Sequence, residues 1–188
     1  MTLNIKLPNF AINRKKNVMV YKFRIVLDTL NDVFRDIEIE ADATLEDLHN
    51  AAVQAFDFQG TEMASFYLSD ENWNQGEEIL LFDVSEGNKS VRMMNDTAID
   101  SVVSEKQTKL IYVYDFFNMW TFYVELADKG EKEMGINYPN LMYSHGHMPE
   151  NPPEKKFEAD KEDLEDDLDD DDLGFEDLDD MDFDDQLN

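Results

Sequence analysis

The chain has 188 residues, no cysteine and a formal charge of −28, with 44 acidic against 16 basic side chains. That length suits one ordinary core with an appendage, and the missing cysteines exclude disulfides, thiolate metal sites, iron–sulfur clusters and cysteine nucleophiles. From Asn151 onward there are 19 acids and three bases, −16 of the total, leaving −12 on the first 150 residues. Such a surface repels nucleic-acid phosphate and anionic lipid at long range, so direct nucleic-acid binding is not expected.

Residues 1–17 form a basic arm carrying Lys6, Arg14, Lys15 and Lys16. It has two readings, a solvated surface run or an intramolecular clamp that holds the acidic tail. The arm lacks the apolar run of a signal peptide, and no stretch of ~18 apolar residues follows, so a soluble, cytoplasmic protein without a membrane span is expected.

From Tyr21 the pattern alternates, with Tyr21, Phe23, Ile25 and Leu27 on one face and Lys22, Arg24 and Val26 on the other. A second alternating run groups Val33, Ile37 and Ile39 and turns Asp36, Glu38 and Glu40 to water. The turn formers of Asp28 to Asp32 between them predict an antiparallel hairpin. Thr44-Leu-Glu-Asp47 supplies a capping hydroxyl and a first-turn acid, which start a helix. Leu45, Leu48, Ala52 and Phe56 give that helix an apolar stripe, and Gly60 closes the segment. Met63 to Leu68 and Ile79 to Phe82 read as strands joined by a polar loop containing Trp73, either an aromatic lid over a core edge or a stacking residue for a ligand. Asp96 to Asp100 starts a short second helix with Ile99, Val102 and Val103, which only tertiary packing would hold. Leu110 to Tyr114 and Trp120 to Leu126 are rich in β-formers and predict a second hairpin. After Leu126 the regular pattern fades into a segment expected to lie over the domain surface.

The resulting expectation is an α+β domain over residues 18–150, an antiparallel or mixed sheet with one long and one short helix. A β-grasp, ubiquitin-like arrangement is one candidate. Residues 151–188 are expected to be a disordered acidic tail.

In this order the motifs resemble the plasmid pRiA4b ORF-3-like family from Tyr21 to about Glu154. The resemblance rests on Tyr21-Lys-Phe-Arg-Ile-Val-Leu27, Thr44-Leu-Glu-Asp-Leu-His49 with Ala55-Phe56, Phe66-Tyr-Leu68, Tyr112-Val-Tyr-Asp-Phe116 with Trp120, Tyr138-Pro139 and Pro152-Pro-Glu154. It implies a bacterial or archaeal protein with no settled activity. The chain departs from the family turn where Phe117 replaces glycine, Asn118 replaces aspartate and Phe122 replaces histidine. If that turn holds a ligand or metal in the family, this chain has lost donors and gained apolar groups.

Chemistry-bearing residues are few. His145 and His147, two apart, are a candidate metal pair with Asp115 or His49 as a further ligand; the plain alternative is a polar loop, with His49 a surface or semi-buried residue of the first helix. Asp115, Asn118 and Trp120 form a candidate pocket. No nucleophile elbow, phosphate-binding glycine loop or dinucleotide fingerprint is present, and no cofactor is expected. In the tail, Asp169, Asp171 and Gly174 match part of a calcium loop by chance in an aspartate-rich string, since Leu173 occupies a ligand position. The acids there are punctuated by apolar residues, among them Phe175, Leu178, Met181 and Phe183, a pattern suited to docking on a basic groove with apolar pockets.

The function expected is a non-catalytic interaction protein whose tail captures a basic partner protein. The alternative is a metal-dependent or small-molecule enzyme with a site near Asp115 and the His145 to His147 loop.

Overall fold

The computed structural model describes residues 18–83 and 91–153. The chain divides into two units, Met1–Glu154 and Lys155–Asn188. Arg14, Lys15, Lys16 and the tail residues Phe175, Leu178, Met181 and Phe183 lie outside the described residues.

The first hairpin is β1 (Met19–Leu27) and β2 (Phe34–Glu40), paired antiparallel with Phe23 opposite Ile37 and Tyr21 opposite Ile39. Alternation sends Tyr21, Phe23, Ile25 and Leu27 into the core. Helix α1 (Leu45–Ala55) follows, its capping box closed by Asp47 N donating to Thr44 Oγ1 at 3.1 Å and Thr44 N donating to Asp47 Oδ2 at 2.8 Å. Leu45, Leu48, Ala52 and Phe56 are buried against the sheet, each large side chain contributing about 1.5–3 kcal/mol.

The remaining strands are β3 (Ala64–Ser69), β4 (Gln75–Leu80), β5 (Arg92–Met93), β6 (Lys109–Tyr114), β7 (Trp120–Glu131) and β8 (Asn140–His145). All eight strands lie in one sheet, ordered β5-β4-β3-β6-β7-β1-β2-β8. Neighbours are antiparallel except β4 and β5.

Among the described residues the architecture is therefore a single mixed eight-stranded sheet with one α-helix, and this corrects the α+β, β-grasp expectation. A ubiquitin-like sheet sets its first strand beside a parallel partner. Here the antiparallel β6–β7 hairpin brings β7 back against β1 in antiparallel register, Ile25 facing Val124. An order of hairpin, helix and strands does not by itself say which later strand returns to β1.

The expected second helix is a single 3₁₀ turn, Ile99–Ser101. Its N-cap, Ala98, offers no side-chain cap, and Thr97 donates its hydroxyl to Met93 O at 2.7 Å. The turn is held by packing, with Ile99 and Val103 buried, and by Leu45 N donating to Thr97 O and Ile99 N to Ala43 O, both at 2.9 Å.

Aromatic rings fill the space under α1: Phe56 lies 4.7 Å from Phe122, Phe66 4.7 Å from Tyr112, and Phe58 4.6 Å from Tyr114. On the opposite face Trp73, at φ 62°, sits 4.8 Å from Tyr123 with Lys109 Nζ 5.0 Å above its ring. Ile111, between Tyr67 and Tyr123 in register, is buried on that same face. No helix among the described residues is long and apolar enough to cross a membrane.

Candidate functional site

The β6–β7 connection holds the predicted trio Asp115, Asn118 and Trp120. Asp115 takes a left-handed conformation at φ 58°, which a short polar side chain tolerates because it bonds its own turn, and Met119 takes another at 55°. Asp115 Oδ1 accepts from the amides of Phe117 (3.1 Å) and Asn118 (3.2 Å), and Oδ2 accepts from Asn118 Nδ2 at 2.6 Å. The structure thus brings Asp115 and Asn118 together as the lock of the turn. Trp120 points elsewhere, buried in the core with its ring 5.5 Å from Phe58. Phe117 is 94% exposed.

His145 ends β8, its ring stacked 5.2 Å from Phe34, and His147 is exposed two residues on. Gly146 between them has φ 71°, and a Cβ there would sit 2.3 Å from Asp32 O. Only glycine lets this chain pass so close to the β1–β2 turn. Among the described residues, no group of three or more His, Cys, Asp or Glu side chains is placed to hold a metal ion.

Three polar residues are buried in the fold, two of them, His49 and Asp36, read from the sequence as nearer to water. His49, expected to be a surface or semi-buried residue, is 2% exposed on the core face of α1 and shares a 2.8 Å hydrogen bond between Nδ1 and Tyr112 Oη. Burial pushes its pKa down from 6.5 to about 4, and burial likewise raises that of Tyr112. Asp36, expected to face water, is buried, accepting two 2.8 Å bonds from the Arg24 guanidinium, which hold its carboxyl below the ordinary range.

Arg35 is the third. Alternation through Val33, Ile37 and Ile39 puts it on the core face, a signal visible in the sequence. Its guanidinium donates to Ala55 O at the end of α1 (2.9 Å), Phe34 O (2.8 Å) and His145 O (2.6 Å), and lies 4.8 Å over the Phe56 ring. Desolvation lowers its pKa, though a guanidinium remains charged. Arg35 therefore ties the end of the helix to the end of β8.

β8 closes the sheet order, so among the described residues one of its sides has no strand partner. Edge strands are usually blunted by charge or proline. This one reads Asn-Leu-Met-Tyr-Ser-His, without lysine, arginine, acid or proline, and its Leu141, Met142 and Tyr143 are 47%, 46% and 52% exposed. Between α1 and β8 opens a cavity of about 270 Å³ walled by Ile37, Ala51, Ala55, Pro139 and Leu141, with Gln54 and Asn140 as its polar groups. Past Pro139 a second cavity of about 420 Å³ is lined by Ile39, Glu40, Asp42, Asp47 and Tyr138. Glu40 is ion-paired with Lys132, and Asp47 caps α1.

Comparison with known proteins gives a family model, described as plasmid pRiA4b ORF-3-like protein, that matches residues 19–186. No curated protein matches the chain. Among solved structures, the chain is similar to the crystal structure of a protein of unknown function from Methanosarcina mazei Go1. The two are 19% identical with a TM-score of 0.60 over 70% of this chain and 72% of that one, a likeness of fold.

Proposed function

This chain belongs to the plasmid pRiA4b ORF-3-like family, and from that premise we propose that it is a non-catalytic, cytoplasmic interaction protein that binds a basic partner. The observation that carries the reading is the open edge of β8, an uncharged strand with three half-exposed apolar side chains beside a cavity. An unblunted strand edge is a template for pairing with another chain. The strongly negative body supports the sign of the partner, because its field attracts basic surfaces and repels acidic ones. The acidic segment bearing Phe175, Leu178, Met181 and Phe183 supplies the second element of the reading, capturing the partner through charge and a few apolar anchors.

A capture experiment from lysate tests this, comparing the full chain with one ended at Glu154. The expected result is a set of basic proteins that the full chain retains and the shortened chain retains less, with retention falling as salt rises above ~0.15 M. Equal capture by both chains would remove the acidic segment from the binding role. Capture by neither would overturn the interaction reading.

A further inference from the structure

The groove between α1 and β8 joins three features that a strand-binding site needs. It has an open sheet edge, a helix alongside it, and side-chain cavities on the helix side of that edge. An added strand presents every second side chain to the same face, at intervals of about 6.6–6.8 Å. The two cavities follow one another along the chain leading into β8, the first reaching Asn140 and Leu141, the second Tyr138, with Pro139 in the wall of both. That order along the chain suits two same-face side chains of one extended segment, two residues apart.

The chemistry of the two cavities differs. The first is mainly apolar, walled by Ile37, Ala51, Ala55 and Leu141. The second is mainly acidic: Asp42 makes no hydrogen bond or ion pair among the described residues, and Asp47 stands beside it, while Lys132 pairs with Glu40 and lies 5.8 Å over the Tyr138 ring. We propose that this groove binds an extended peptide segment by strand addition to β8, taking an aliphatic side chain in the first cavity and a lysine or arginine two residues away in the second. The proposal deepens the interaction reading and rests on it. A second copy of the chain is a poorer occupant, since its own β8 carries no lysine or arginine for Asp42, and two bodies of −12 repel one another.

The test uses the full chain and two fluorescein-labelled probes, Gly-Thr-Leu-Thr-Lys-Thr-Gly and Gly-Thr-Lys-Thr-Leu-Thr-Gly, read by fluorescence anisotropy. One of the two orders is expected to bind saturably, the direction of strand addition deciding which. Leu141→Arg and Asp42→Lys, both at exposed positions, should each weaken that binding about tenfold or more. Methylating one of the two alternate sets of the probe's backbone nitrogens, the set that faces β8, should abolish it while methylating the other set should not, because main-chain hydrogen bonds are the basis of strand addition. Asp42→Lys should in turn favour a probe with Glu in place of Lys, which keeps the test decisive if a variant is merely less stable.

Absence of saturable binding by either order, or binding indifferent to both substitutions, overturns the proposal. So does a chain that sediments as a dimer and is dispersed by Leu141→Arg, which would assign the edge to a second copy. If the probes fail while the full chain still captures basic proteins through residues after Glu154, the groove proposal falls and the interaction reading stands. Failure of both removes both.

Discussion

His49 shows how one polar residue is held in the core and what that costs in acid. Its neutral ring is enclosed on α1 and bonded to Tyr112, and burial holds its folded pKa near 4 against 6.5 when unfolded. The unfolded chain therefore takes up a proton between those values that the folded chain refuses. The stability this residue contributes is complete above about pH 6.5 and is lost as pH falls toward 4, by up to about 3 kcal/mol. Urea midpoints measured across that window should fall for the natural chain. They should stay nearly level for His49→Asn, whose amide can stand at the Nδ1 position. Asp36, held low by Arg24, loses its contribution only at still lower pH. The position of His49 was legible, four residues after Leu45 on the apolar stripe. Its burial was not, because a histidine on such a stripe is compatible with either side of the surface until its partner, 63 residues away, is known. The same holds for Asp115 and Asn118: their types announce a functional turn, and the folded turn uses them on its own amides.

Among elements, those set by local patterns were the ones the sequence disclosed. The β1–β2 alternation, the Thr44–Asp47 capping box and the β6–β7 hairpin each need only near neighbours. β8 was missed, because the region after Leu126 shows no alternation. Five of its six residues are exposed, so nothing separates an inner face from an outer one, and its partner β2 is about a hundred residues earlier. The expected surface segment is in fact the extension of β7 to Glu131 and this edge strand. β4 begins at Gln75, earlier than its apolar residues indicate, because Gln75 to Glu78 are exposed on the strand. What holds β8 in place beyond its pairing is Arg35, which bonds carbonyls of α1, β2 and β8 at once. Arg35→Met keeps the side chain's bulk and leaves those carbonyls without their donor, so it should destabilise the domain by about 2–4 kcal/mol. Hydrogen exchange should show the amides of 140–145 opening before those of β1 and β7; uniform loss of protection would mean that Arg35 does not act on β8 in particular.

At the scale of the whole molecule, the described residues form a sheet covered by one helix, with an unpaired β8 edge and a second face dressed with Trp73, Tyr123 and Tyr67. The groove beside β8 was illegible in the sequence because its walls come from β2, α1 and the approach to β8, and alanine, proline and leucine carry no chemical signature. The charge was legible from composition, and with the open edge it argues for a basic, extended partner. That claim is tested most directly by hydrogen exchange of the full chain with and without a basic protein it captures. The account predicts new protection in β8, at residues 140–145, and in the segment after Glu154, with the β6–β7 turn at 115–120 unchanged. Protection confined to that turn, or found in neither β8 nor the acidic segment, would contradict it.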